Sequence, residues 1–386
     1  MSGREQMLRS MKRPKIPGAV AAGLLCSVLA LKAIAAEVPK VVNPKFTGSQ
    51  SCASTSCHGG GTNRNEAIIY GRKDRHAIAR GILGKGTSLR IAEALQITGD
   101  PLKAAQCTVC HSPMQTVPPD RLVKDLTPDH SVGCEACHGP AEPWLRFHTR
   151  PDVTFQQMVE AGLRNLNDLY GRANTCVACH LNIDRAISEA GHPELFFELD
   201  AQALAQPPHY IDARPAIGPR SWMTGQAVAL RELSWKLAAK RDEPLVLRWK
   251  ALVWLLRKTD AGRKALPETE DFSSMKSAAD DLARSAARAT WTSDDVHHLL
   301  ENYLALDSEF RNAKAEKPAE LARRAEVFAP AIHSLWRARK KAATEDSEAV
   351  ETLLQGLLRR AREGEGFDPE AFADALKDLR AAVPKS

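Results

Sequence analysis

The chain has 386 residues, 44% hydrophobic and 26% charged, with a formal net charge of +6 and a mean hydropathy of −0.32. This composition excludes wholesale disorder and a polytopic membrane protein. Nucleic-acid binding has no support either, because no basic stripe interleaves with aromatic residues. What stands out is nine Cys and twelve His, with no Cys beyond Cys179, so a Cys- and His-rich half is followed by a half without Cys.

Residues 1–35 read as a secretory signal peptide. Arg4, Arg9, Lys12, Arg13 and Lys15 form a basic n-region, an apolar run spans 19–31, and Ala33-Ile34-Ala35 offers an A-x-A cleavage site. The run is too short and wrongly flanked for a transmembrane span, so membrane contact arises only if the signal stays uncleaved. Cys26 lacks the small preceding residue that a lipid-anchor cysteine needs. Removing the segment takes away six Lys/Arg and one Glu and leaves a net charge near +1, so the basic balance belongs to targeting. The expected location is the periplasm, an oxidising compartment in which eight remaining thiols must be disulfide-bonded, metal-bound or capped.

Residues 36–51 read as an extended lead-in. The eight cysteines that follow fall in pairs, each trailed by histidine. Three are C-x-x-C-H: Cys107, Cys110 and His111; Cys134, Cys137 and His138; Cys176, Cys179 and His180. The fourth, Cys52, Cys57 and His58, has four residues between its cysteines. Disulfides and zinc knuckles do not require a histidine after every pair, and a thioredoxin-like motif would occur once. The spacing instead suits covalent attachment of haem c, in which two thiols add to two vinyl groups on one porphyrin edge and the next imidazole reaches the iron. Four haems, with proximal ligands His58, His111, His138 and His180, are the expected cofactors.

The sixth ligand decides whether each iron is a sealed electron carrier or an open reactive centre. His76, His148 and His192 are the first distal candidates, each a short step along the chain from a haem motif. His209 and His130 come next. His297, His298 and His333 lie in the second half and read as surface or packing residues. From about Ser221 onward the pattern becomes long amphipathic helices, expected over 222–239, 244–258, 273–289, 293–313, 319–341, 348–363 and 369–383. Asp368-Pro369 is a cap followed by a first helical residue. The fold class is therefore mainly α: a multihaem cytochrome domain of short helices and haem loops over 36–220, then an α-helical bundle over 221–386. The bundle's sequence names no chemistry; docking, dimerisation or covering a haem edge would suit it.

The strings CEACHGPAEPWLRFH, YGRKDRHAIARGIL and CVACHLNID…GHPELFFEL resemble the cytochrome c-554 family of tetrahaem cytochromes, and more closely its larger relatives with a helical C-terminal extension. The resemblance covers roughly 48–225. It implies haems packed in close parallel and perpendicular pairs, most irons bis-histidine, distal ligands at His76, His148 and His192, and the haem at His111 as the candidate five-coordinate one. The four-residue spacer at the first site and the much longer chain depart from the founding member, whose electrons come from a hydroxylamine-oxidising enzyme.

Two functions follow. The first is electron transfer between redox proteins or from a quinol-linked donor. The alternative is oxidation or reduction of a small nitrogen or sulfur compound at one open haem, where His130, Arg121 or Asp129 would be the acid–base groups. No residue is assigned a catalytic role on the first reading.

Overall fold

The structure is a computed structural model, and it describes residues 37–61, 63–124, 126, 131–181, 183–209, 218–311, 318–342 and 348–384. The signal segment 1–35, Asp129 and His130 lie outside the described residues. The lead-in is pinned along its path. Phe46 forms an isolated parallel bridge with Leu122, and the Lys45 N–H donates to the Glu142 carboxylate at 2.8 Å.

Short helices follow: α1 (Glu66–Lys73), α2 (Ala79–Ile82), α3 (Gly86–Ala94), α4 (Ala105–His111), α5 (Cys134–His138), α6 (Phe155–Glu160), α7 (Leu169–His180), α8 (Arg185–Glu189) and α9 (Leu199–Ala205). Local capping residues start several of them. Asp168 accepts the Gly171 N–H at the head of α7, and Thr154 with Gln157 forms a capping box on α6.

The second half is built from α10 (Pro219–Ala239), α11 (Glu243–Arg257), α12 (Asp260–Ala265), α13 (Phe272–Arg288), α14 (Ser293–Leu304), α15 (Asp307–Arg311), α16 (Pro318–Ala342), α17 (Glu348–Arg360) and α18 (Pro369–Ala382). Prolines occupy the first turns of α10, α11 and α18, where a missing N–H costs nothing. Two details differ from the periodicity. The expected 293–313 helix breaks after Leu304, because the Ala305 and Leu306 N–H groups turn back onto Glu301 and Tyr303. Helix α12 was not expected. It is held by Thr259, which caps the Gly262 N–H, and by Gly262, where a Cβ would sit 2.0 Å from the Leu256 carbonyl.

Helix α10 is the axis of this half. Trp222, Ala227, Leu230 and Leu233 are fully buried along it, and it packs on α13 and α11 while α11 lies on α16. The apolar core crosses position 220, taking in Phe197, Leu199 and, from α7, Ala173 and Val177. At Gly225 an added Cβ would stand 2.6 Å from Leu199 Cβ, so glycine is what lets α9 begin directly on α10. Among the described residues, no helix is long and apolar enough to cross a membrane.

Candidate cofactor site

Each C-x-x-C-H string lies at the end of a helix. Helices α4, α5 and α7 terminate on His111, His138 and His180. Cysteines at i and i+3 share one helix face, and the imidazole closes the last turn beside them. The first motif is built differently. Its longer spacer forms a folded loop in which the His58 N–H donates to Cys52 O at 3.0 Å and the Gly59 N–H to Ser54 O at 3.0 Å. A Cβ on Gly59 would meet the Ala53 carbonyl at 2.0 Å, so the tight return requires glycine.

All four motifs open onto one cavity of about 2270 Å³. Its wall includes every motif cysteine, the four motif histidines, and His76, His148, His192 and His209. None of the eight cysteines is in a disulfide. The cations lining it are Lys73, Arg75, Lys85, Arg146, Arg164 and Arg172, against the carboxylates Glu66, Asp74 and Glu135. A large, mostly apolar hollow with thiols at its edge and an excess of cations fits porphyrins carrying propionates. A zinc ribbon would need four such Cys or His side chains converging on one point. Among the described residues, no cluster of three or more His, Cys, Asp or Glu is placed to hold a metal ion by itself.

Histidines from distant parts of the chain come close together on the wall of this cavity. His58 and His148 have ring centres 6.1 Å apart with planes at 10°. His76 and His180 are 5.9 Å apart at 89°, and His111 and His192 are 6.4 Å apart at 70°. Two metal–nitrogen bonds of about 2.0–2.1 Å each, plus the two half-rings, call for roughly 6 Å between ring centres. His297 and His298 show a similar 6.2 Å spacing merely as neighbours on α14, so the spacing carries weight only beside the cysteines and the hydrogen bonds described next.

The sequence left open which motif each distal candidate serves. The structure brings His148 beside the first motif, His192 beside the second and His76 beside the fourth. The resemblance made the haem at His111 the candidate open one; the ring of His192 stands 6.4 Å from that of His111. Gly191, at φ 101°, turns the chain to place it there.

Most of these imidazoles have Nδ1 committed, so a metal would be met through Nε2. The acceptors are Ala79 O for His111 at 3.1 Å, Trp144 O for His148 at 3.1 Å, Pro193 O for His192 at 2.8 Å and Pro207 O for His209 at 3.3 Å. Two are carboxylates: Glu66 for His58 at 3.1 Å and Asp74 for His76 at 2.9 Å. Burial pushes the Asp74 carboxyl up, but hydrogen bonds from the His76 side chain and backbone and from Gln206 outweigh it and hold it at about 2. These supporting residues were missed in the sequence; the Asp-x-His spacing of 74 and 76 was the one local signal for any of them.

Glu135, inside the third motif, is buried and accepts the N–H groups of Thr47, Gly48 and Ala141 at 2.6–3.0 Å. Burial raises its carboxyl above the usual range while those donors oppose the rise. It ties the lead-in to α5, and the Cys134 N–H reinforces the tie by donating to Ser49 Oγ at 2.9 Å. Thiols of different motifs also meet. The Cys134 thiol and then burial push Cys52 upward. Cys179 lies beside Cys110 and lowers its thiol.

The remaining candidates divide. His209 reaches the cavity. Arg121 is turned to the lead-in instead, donating to Pro44 O at 2.9–3.1 Å. His333 is mostly buried in the second half, where burial lowers its pKa.

A search of curated proteins and one of solved structures each found no match. A family model does match, over 51–139, a stretch that holds the first three motifs and stops short of the fourth. Its description is cytochrome c554 and c-prime; this stretch is similar to that family, and with thiols and imidazoles arranged as above the match supports a c-type cytochrome with covalent haem, acting in electron transfer.

Proposed function

We propose that the chain is an exported, periplasmic tetrahaem cytochrome that relays electrons between two redox partners. Number its rings I to IV by motif. The close pairs assign His58 and His148 to ring I, His111 and His192 to ring II, and His180 and His76 to ring IV. His209 lines the same cavity with its Nδ1 on a carbonyl, and is assigned with His138 to ring III. Haem supplies one-electron iron chemistry when bound; the protein supplies two imidazoles per iron, so no ligand need be exchanged as an electron arrives. The observation that carries the reading is three imidazole pairs at 5.9–6.4 Å on the wall of a cavity that touches all eight thiols.

The contacts between motifs pair the rings: Ser49 with Cys134 sets I beside III, and the meeting of Cys110 with Cys179 sets II beside IV. An enzymatic reading needs an open iron, whereas this assignment gives each iron a second imidazole.

The test is the intact mass and ferric spectrum of the exported protein. Four haems above the polypeptide mass, all low-spin, are expected, and His192→Ala should turn one of them high-spin without releasing it. An unchanged spectrum in that variant removes the ligand assignment. A high-spin fraction in the parent protein that binds nitric oxide or cyanide would favour the enzyme.

A further inference from the structure

We infer that Asp74 and Glu66 are the potential-setting residues of this chain: they lower the potentials of rings IV and I, so that an electron shared between the neighbouring rings II and IV rests on II. The inference depends on the ligation proposed above and extends it.

The two rings of this pair differ in what holds their imidazoles. Both ring II ligands donate Nδ1–H to neutral carbonyls, His111 to Ala79 and His192 to Pro193. On ring IV, His76 donates to a carboxylate whose side chain is only 3% exposed. Asp74 is fixed on both oxygens. Oδ1 also accepts the His76 N–H at 3.0 Å, and Oδ2 accepts Gln206 Nε2 at 3.1 Å. It therefore cannot rotate away from the ring. An anionic acceptor draws the Nδ1 proton and makes Nε2 a stronger donor, which favours the ferric over the ferrous state. Glu66 does the same for His58 on ring I, but with 19% of its side chain exposed its charge is better screened and its effect smaller. Both are positioning residues, acting through a ligand and not on the iron.

Asp74→Asn and Glu66→Gln remove the charge and keep the shape. The four-haem protein would be titrated spectroelectrochemically and its ferric form examined by electron paramagnetic resonance. Imidazole planes at 89° leave the iron d orbitals near-degenerate and give an axial signal with a large principal g value for ring IV; planes at 10° give a rhombic signal for ring I. In Asp74→Asn, one midpoint should rise by about tenfold in the reduction equilibrium, about 59 mV for one electron, and it should belong to the axial signal. In Glu66→Gln a smaller rise should belong to the rhombic signal. Asp74→Glu should restore most of the parent value.

Unmoved midpoints, or four that move together, in variants retaining four low-spin haems would overturn the inference and leave the tetrahaem reading intact. Fewer than four haems or a high-spin parent spectrum would instead overturn that reading. Should Asp74→Asn not mature, the Glu66→Gln titration decides.

Discussion

The two halves solve the same packing problem with different material. In the second half α10 lies among helices that bury an unbroken set of side chains, from Leu230 and Leu255 to Phe328 and Phe372, all fully buried. In the first half the buried apolar residues are few and scattered, such as Leu83, Met114, Trp144 and Phe147, around a hollow of about 2270 Å³. Ile82, Val109 and Phe155 line that hollow and stay largely exposed. One half carries its own core; on the proposed function the other is a shell that porphyrins would fill. Apolar burial is the main favourable term in folding, so the halves should respond differently to loss of cofactor.

The sharpest way to break the comparison is to replace all eight motif cysteines with alanine. Limited proteolysis of the exported product should then cleave throughout 38–168 and leave a resistant fragment containing α10 to α18, with helical circular dichroism retained. A digestion pattern like that of the holoprotein would show that the first half has a core of its own.

The converse experiment strikes the protein-only core. Trp222 is fully buried on α10 and meets Tyr303 edge-on at 6.2 Å. Trp222→Ala should cost about 3–5 kcal/mol of stability, read by urea unfolding, while the haem spectrum of the folded protein stays unchanged. Its indole Nε1 is buried without a partner, so Trp222→Phe should cost far less. Equal losses would mean that the tryptophan has a polar role hidden from the geometry.

These two regions were also unequally legible in sequence. The second half follows periodicity because its helices bury apolar faces against one another. Its failures, α12 and the break at 305–306, are set by single hydrogen bonds that leave no pattern. In the first half the cysteines and motif histidines were readable because bond formation fixes their spacing. The ligand partnerships were not. Which imidazole meets His111 depends on how a loop returns at Gly191, which no local pattern encodes. Supporting residues such as Glu66 and Gln206 carry no signature, since any acceptor or amide at the right place would serve.

A smaller effect should appear with pH. Glu198, at the head of α9, is buried beside Asp200, which accepts Ser334 Oγ at 2.8 Å and lies 3.2 Å from Arg337. Burial, then the Asp200 charge, push the Glu198 carboxyl up to about 8. A group raised on folding gains a proton as the chain folds, so its contribution is complete below its ordinary value near 4.5 and disappears as pH rises through 8. His333, held neutral by burial, opposes this only below its ordinary 6.5. Stability of the core that α9 shares with the second half should therefore fall most steeply between pH 6.5 and 8, by at most about 1.4 kcal/mol per unit. Glu198→Gln should flatten that slope. A slope unchanged in the variant would place the proton on another group.

The smallest effect tests the seam between the halves. Helix α7 carries the fourth motif and also belongs to the protein-only core, so the cofactor shell and the bundle share it. Near its start the Tyr170 hydroxyl donates to Asp280 on α13 at 2.6 Å and accepts from Arg284 at 2.7 Å and from Arg231 on α10 at 3.1 Å. Burial raises the Asp280 carboxyl, but Tyr170 and the two arginines prevail and hold it at about 2. Tyr170→Phe removes the hub and leaves the Arg231–Asp280 pair at 2.9 Å in place, so the loss should be near 1 kcal/mol. Its location matters more than its size. If α7 couples the halves, unfolding followed at the haem Soret band and unfolding followed by helical circular dichroism should coincide in the parent and separate in the variant. Coincident curves in both would mean that the apolar contacts of Ala173 and Val177 alone hold α7 to the bundle, and that the hydroxyl network is incidental to the coupling.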